Sequence, residues 1–246
     1  MKLNVRFFSL LVACLLLLWV AFMSHLGLFV VWQDYWTSAL VMVFGSFVAG
    51  STPLGGGAVA FPVFSKFFAI EAEQAKVFSL FIQSVGMTSA TLFFIFSRIY
   101  INWKVLLALL PTTIVGFIWV MSGPLLVNTE IKLLFSICAL VTGMLLLLSH
   151  KKGDSDEKQV TILGLALMGI AGGALAATLG AGADTMLFFC LAILYRRPAK
   201  QIIPTTVTYM ALTSIIGSTY ILTFEPEIIS PFVSNSWLVA APVVLV

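Results

Sequence analysis

The stretch GSTPLGGGAVAFP, residues 50–62, holds four glycines and two prolines in thirteen residues. It interrupts two apolar runs, SALVMVFGSFVA (38–49) and VFSKFFAI (63–70), that read as membrane helix. A break there leaves N–H and C=O groups without helical partners. Each costs several kcal/mol in hydrocarbon unless protein or a wet cavity satisfies it. The break therefore predicts a cavity, with backbone donors turned into it.

The rest of the chain supports a membrane setting. Of 246 residues, 9% are charged and 61% hydrophobic, with a mean hydropathy of +1.10. Soluble domains carry about 25% charge. Uncharged or nearly uncharged runs at 7–32, 77–97, 105–129 and 133–149 are each near the ~20 residues that span a bilayer as helix. The chain reads as an all-α polytopic membrane protein with the lipid bilayer as its surroundings. Soluble-enzyme and nucleic-acid-binding classes are excluded. The net charge of +3 reflects loop placement and identifies no partner.

Residues 1–36 read as a retained N-terminal transmembrane helix, because the apolar stretch is too long for a signal peptide and no A-x-A site follows. His25 falls near its outer end. Cys14, Cys138 and Cys190 lie in apolar runs without CxxC spacing and read as small buried hydrophobes. No cofactor and no metal is expected. A homodimer is compatible with the sequence.

The break recurs. AGSTPLGGGA (49–58) aligns with ALAATLGAGA (174–183), pairing Ala49, Leu54, Gly55, Gly57 and Ala58 with Ala174, Leu179, Gly180, Gly182 and Ala183. EQAKVFS (73–79) echoes KQIIPTT (200–206), and NWKVLLALLP (102–111) echoes SWLVAAP (236–242). This divides the chain into repeat 1 (37–150), a charged cytoplasmic linker (151–159) and repeat 2 (160–246). Helices are expected at 76–97, 103–123, 130–150 and 201–223, with a final apolar run from Trp237. Only ten residues begin at Trp237, about 15 Å of helix. Repeat 2 is therefore short by nature or the chain is truncated, and the second is favoured.

Basic residues orient the chain. With the N-terminus in the cytoplasm and each broken segment re-entrant, ten of the thirteen Lys and Arg lie inside: Lys2, Arg6, Arg98, Lys104, Lys151, Lys152, Lys158, Arg196, Arg197 and Lys200. Lys76 and Lys132 fall in outer loops and Lys66 inside the hairpin. Each half then has an odd number of crossings. The expected fold is two inverted-topology repeats, each a Gly-broken re-entrant helix pair followed by transmembrane helices, preceded by an extra N-terminal helix. Many secondary transporters share that pattern.

Two helices should restart near the midplane, at about Gly57 and Gly182, with their free N–H groups facing a small oxyanion. The candidate substrate-binding residues are Thr52, Gly55, Gly56, Gly57, Ser79, Gln83, Thr178, Gly180, Gly182, Thr205 and Thr206. Ser79, Gln83 and Gly86 fall on one helix face, as do Thr206, Tyr209, Thr213 and Gly217. Their hydroxyls could line a substrate path or bond back within their own helices. GIAGGALAA (169–177) reads as close helix packing. Asp184 is the acid set well inside the membrane. It could carry a coupling proton, or cap the helix that starts near Gly182. Lys66 could attract an anion or snorkel to the outer interface.

At these residues the chain resembles the sulfite exporter TauE/SafE family of membrane permeases. LGGGAVAFPVF carries the first Gly-rich block and EQAKVFSLF the turn after it, and LGAGADTMLFF with RRPAKQIIPTT repeats them more loosely. The resemblance covers about residues 37–223. It implies a transporter of sulfite, sulfonates or related small sulfur-containing anions. Asp184, the first helix and the early stop depart from the family pattern. The substrate anion, direction and coupling ion stay open. A secondary transporter fits best; an anion channel is the alternative, as is a membrane-embedded enzyme or assembly factor. Against the enzyme, the chain has no HExxH, GxSxG or cysteine pair.

Overall fold

The computed structural model describes residues 2–51, 55–123, 128–148, 161–195 and 197–245. Among them every regular element is helical. Thr52 and the linker 151–159 lie outside the described residues.

Helix α1 (Lys2–His25) is followed by a 3₁₀ turn (Leu28–Val30) and by α2 (Val31–Ser51). After the first break come α3 (Gly57–Pro62), a π turn (Val63–Phe67) and α4 (Ala72–Phe96). Helices α5 (Trp103–Met121) and α6 (Asn128–Leu148) complete the first half. The second half begins with α7 (Ile162–Leu179). After the second break come α8 (Ala183–Phe189), a π turn (Cys190–Leu194), α9 (Ala199–Phe224) and α10 (Pro231–Val244). Among the described residues, six segments are long and apolar enough to cross a membrane: Val5–His25, Leu28–Ala49, Ala72–Phe96, Trp103–Met121, Ile162–Leu179 and Lys200–Phe224. Large apolar side chains cover the outside, among them Leu163 at 72% exposure and Phe47 at 71%. Such a surface is stable only against lipid or another apolar partner.

Both halves use the same order: a long helix, a glycine break, a short helix ending in a π turn, a long central helix and a further helix. The packing repeats as well. Helices α4 and α9 lie against each other at the centre, α5 runs along α7, and α10 runs along α2. Exchanging the two halves maps the α5–α7 pairing onto α10–α2 and the α4–α9 pairing onto itself. Two caps follow the same rule. Asn102 caps α5 by accepting the Val105 N–H at 3.3 Å, and Ser230 caps α10 by accepting the Val233 N–H at 3.3 Å. The backbone N–H of Asn102 donates to Thr205 Oγ1 on α9 at 3.0 Å, and that of Ser230 to Gln74 Oε1 on α4 at 3.2 Å. Each cap is thus held by the central helix of the other half.

The glycines of 169–177 act as helix packing. A Cβ on Gly169 would overlap the Thr112 hydroxyl, and one on Gly173 the Thr113 carbonyl; Gly116 on α5 meets the Ile170 carbonyl in the same way. Beside this crossing, the hydroxyls of Tyr209 and Thr113 are hydrogen-bonded at 2.7 Å. We expect Tyr209→Phe to cost only about 0.5–1.5 kcal/mol, because Thr113 keeps its bond to the Leu109 carbonyl. Thermal unfolding in detergent measures it.

Several sequence expectations shift. The first helix ends at His25 rather than near residue 36, because Gly27 takes a left-handed conformation (φ 64°) that turns the chain. The long arm of the first hairpin gains those residues and reaches 21 residues, against eleven in its short arm, so the arms are unequal. The last helix starts at Pro231, not Trp237, since Ser230 and Pro231 supply a cap and a preset first turn. The Trp103–Trp237 echo is therefore out of register: Trp103 opens its helix and Trp237 is the seventh residue of its own. The cysteines are not core residues. Cys14 is exposed and Cys138 half-buried, because α1 and α6 are peripheral and their apolar faces look outward; Cys190, at the start of the second π turn, is half-buried against the core.

Candidate functional site

The two breaks meet at the centre of the molecule, beside α4. Helix α3 starts at Gly57, after Gly56, and α8 starts at Ala183, after Gly182. In the first hairpin the chain doubles back until Gly56 lies against Gly45 of α2; a Cβ on Gly56 would stand 3.6 Å from the Gly45 carbonyl oxygen. In the second, Gly180 ends α7 in a left-handed conformation (φ 69°) and Gly182 is also left-handed (φ 97°). The tips touch directly: a Cβ on Gly57 would stand 3.2 Å from Cβ of Ala181.

Gln83 of α4 fills the join. Its Nε2 donates to the Gly180 carbonyl at 2.8 Å and to the Ser79 carbonyl at 3.2 Å. This fixes the amide, because a flip would set oxygen against two carbonyls. The same nitrogen occupies the space where Gly57 would carry a Cβ, and Oε1 does so at Gly55. Both Gly55 and Gly57 are therefore small because Gln83 is there. Gln83 is 2% exposed, yet its Oε1 has no hydrogen-bond partner, and neither does Ser79 Oγ beside it.

Asp184, 1% exposed, reaches the same point from α8. Its Oδ1 accepts the Thr185 N–H at 2.8 Å and the Thr185 hydroxyl at 3.3 Å. The carboxylate also accepts the N–H of Gly55, across the join. Asp184 thus takes up donors in the first turn of α8, from the second helical position rather than from the N-cap, which is Gly182. Those N–H groups are the ones expected to face an anion. With the carboxylate ionised, an anion at the second tip meets a negative charge and donors already in use.

Two cavities approach this partition. One, of ≈ 750 Å³, reaches Ala181, Gly182 and Thr185 and has Lys66 as the charged residue on its wall. The other, of ≈ 430 Å³, reaches Gly56 and Gln83. No atom would lie within 4 Å of a Cβ on Gly182, so that backbone is open to the larger cavity.

The structure thus brings together Gly55, Gly57, Gln83, Gly180 and Asp184, with Ser79 adjoining and Gly56 and Gly182 each on a cavity wall. Three threonines use their hydroxyls elsewhere. Thr178 donates to the Ala174 carbonyl at 2.7 Å and Thr206 to the Ile203 carbonyl at 3.1 Å, both within their own helices. Thr205 holds the start of α5. Lys76 was expected in an outer loop. It lies on α4, 5% exposed, and its charge bears on Glu73 and Glu225. The spacing Lys76–Ser79–Gln83 (i, i+3, i+7) could have revealed it.

Six membrane-length helices among the described residues, with two glycine-broken hairpins meeting at a buried polar join, define a polytopic membrane protein. A family model described as Sulfite exporter TauE/SafE matches residues 38–246. The chain belongs to that family, whose members are membrane transporters of sulfite-type anions. The match runs beyond residue 223, so α10 is part of the family fold, and it begins after α1. Searches of curated proteins and of solved structures returned no match.

Proposed function

We propose that this chain is a secondary transporter of sulfite or a related small sulfur-containing oxyanion, such as an organosulfonate. The observation that carries the reading is the contact between the two hairpin tips, with a cavity on each side of it. Secondary transporters bind their substrate where two such halves meet, near the bilayer midplane, and expose it to each side in turn. The backbone of Gly55–Gly57 and of Gly180–Gly182 supplies N–H donors, and Ser79 and Gln83 complete the site. Thr52 remains a candidate binding residue on the first break. Lys66 gives the larger cavity a positive rim that draws an anion in.

On this reading the halves are inverted repeats and the chain sits in a bacterial inner membrane with its N-terminus in the cytoplasm. Radiolabelled sulfite uptake into proteoliposomes tests the function. We expect saturable uptake that excess unlabelled sulfite or an organosulfonate inhibits and chloride does not. Uptake no faster than in protein-free liposomes would remove the sulfite reading. Non-saturating flux shared with chloride would favour a channel.

A further inference from the structure

We propose that Asp184 and Gln83 together bind one proton, carried on Asp184 Oδ2 and donated to Gln83 Oε1, and that an oxyanion enters the join only when this proton is present. The second clause rests on the transport reading above; the proton site does not.

The argument starts from two acceptors. Gln83 Oε1 and Asp184 Oδ2 both lie within 3.0 Å of the point that a Gly55 Cβ would occupy. Gln83 cannot turn its NH₂ toward the carboxylate without leaving the Gly180 and Ser79 carbonyls, both of which it now satisfies. Its oxygen is left buried and unpartnered beside another buried oxygen. A buried acceptor without a donor is costly, and a second buried acceptor bordering the same space adds to the cost. One proton removes both penalties: an O–H on Oδ2 donates to Oε1, while Oδ1 keeps its bonds from Thr185.

The neighbours leave room for this role. From α9 the titratable group facing Asp184 is Tyr209, whose hydroxyl is bonded to Thr113. From α4 it meets Gln83 and, beside it, Met87, and from the first tip Gly55. The buried cation of α4, Lys76, bears instead on Glu73 and Glu225. Lys66 stands on the wall of the larger cavity, which Thr185 also lines. Ionised Asp184 opposes an anion by charge and by holding the Gly55 and Thr185 N–H groups. A proton removes the charge, so proton and anion occupy the join together.

Infrared difference spectra of the full chain in lipid, acid minus alkaline and free of sodium, test the site without any transported substrate. We expect a protonated-carboxyl C=O band that is lost in Asp184→Asn and moves to higher frequency in Gln83→Met, where the O–H has no acceptor. A band that survives Asp184→Asn, or keeps its frequency in Gln83→Met, overturns the proposal. So does a band that sodium abolishes at constant pH, which would put a metal cation between the two oxygens. If Asp184→Asn does not fold, the Gln83→Met shift decides alone. Sulfite flux measured on the same preparations separates the two ideas: a band that behaves as expected without flux refutes sulfite transport, and flux without the band refutes the proton site.

Discussion

Gly180→Ala leaves little folded protein to assay. Gly180 ends α7 at φ 69°, a conformation that costs an L-residue about 1–2 kcal/mol. The added Cβ would also fall on the Lys76 carbonyl of α4, which is backbone and cannot step aside. Overpacking of that kind adds roughly 1–3 kcal/mol. Together the two effects take about 3 kcal/mol from a total that is seldom above ~15. The loss should appear as a collapsed yield of monodisperse protein and a melting temperature lowered by several degrees. A Gly180→Ala variant that purifies and melts like the parent would mean that α4 and α7 are not in backbone contact there.

Gly57→Ala should do the opposite, folding well and transporting poorly. Its Cβ falls on the Gln83 amide, the far end of a side chain that can swing away. Swinging away breaks the 2.8 Å bond to the Gly180 carbonyl and empties the join of its one fixed amide. Losing one or two buried hydrogen bonds, at about 1–1.5 kcal/mol each, corresponds to a roughly 10–100-fold fall in sulfite transport rate. Melting temperature should fall by only a few degrees, with the fold intact. A variant with the parent's rate would show that Gln83 is a packing residue, and one that fails to fold would show that the two tips are held more rigidly than their contacts imply.

The helix breaks were legible because glycine and proline at membrane depth have few other uses. Gly55–Gly57 and Gly180–Gly182 stand where the repeat put them, and Gln83 was marked by its spacing from Ser79. What joins them was not legible. That Gln83 reaches across to Gly180, or that Asp184 and Gly55 share a hydrogen bond, depends on how two distant hairpins cross. The threonines misled for a different reason. A hydroxyl in a membrane helix can bond to its own backbone, as Thr178 and Thr206 do, and a polar stripe then looks like a path. Helix starts misled where repetition outweighed local chemistry. The Trp103 and Trp237 echo set α10 too late, although Ser230–Pro231 is a strong start signal on its own. Apolar segments cannot say whether they face lipid or core, so Cys14 on peripheral α1 was misplaced.

The exchanged caps have an implication for how the two halves depend on one another. The N–H of Asn102 relies on Thr205, and the N–H of Ser230 on Gln74, which also donates to the Ile228 carbonyl at 3.0 Å. Taken alone, the first half would begin α5, and the second half α10, with a donor that its own residues do not satisfy here, at about 1–3 kcal/mol where water is excluded. The repeats are therefore not two modules joined by a tether. They are complementary pieces, so a gene cut between them restores the protein only when both products are made in the same membrane.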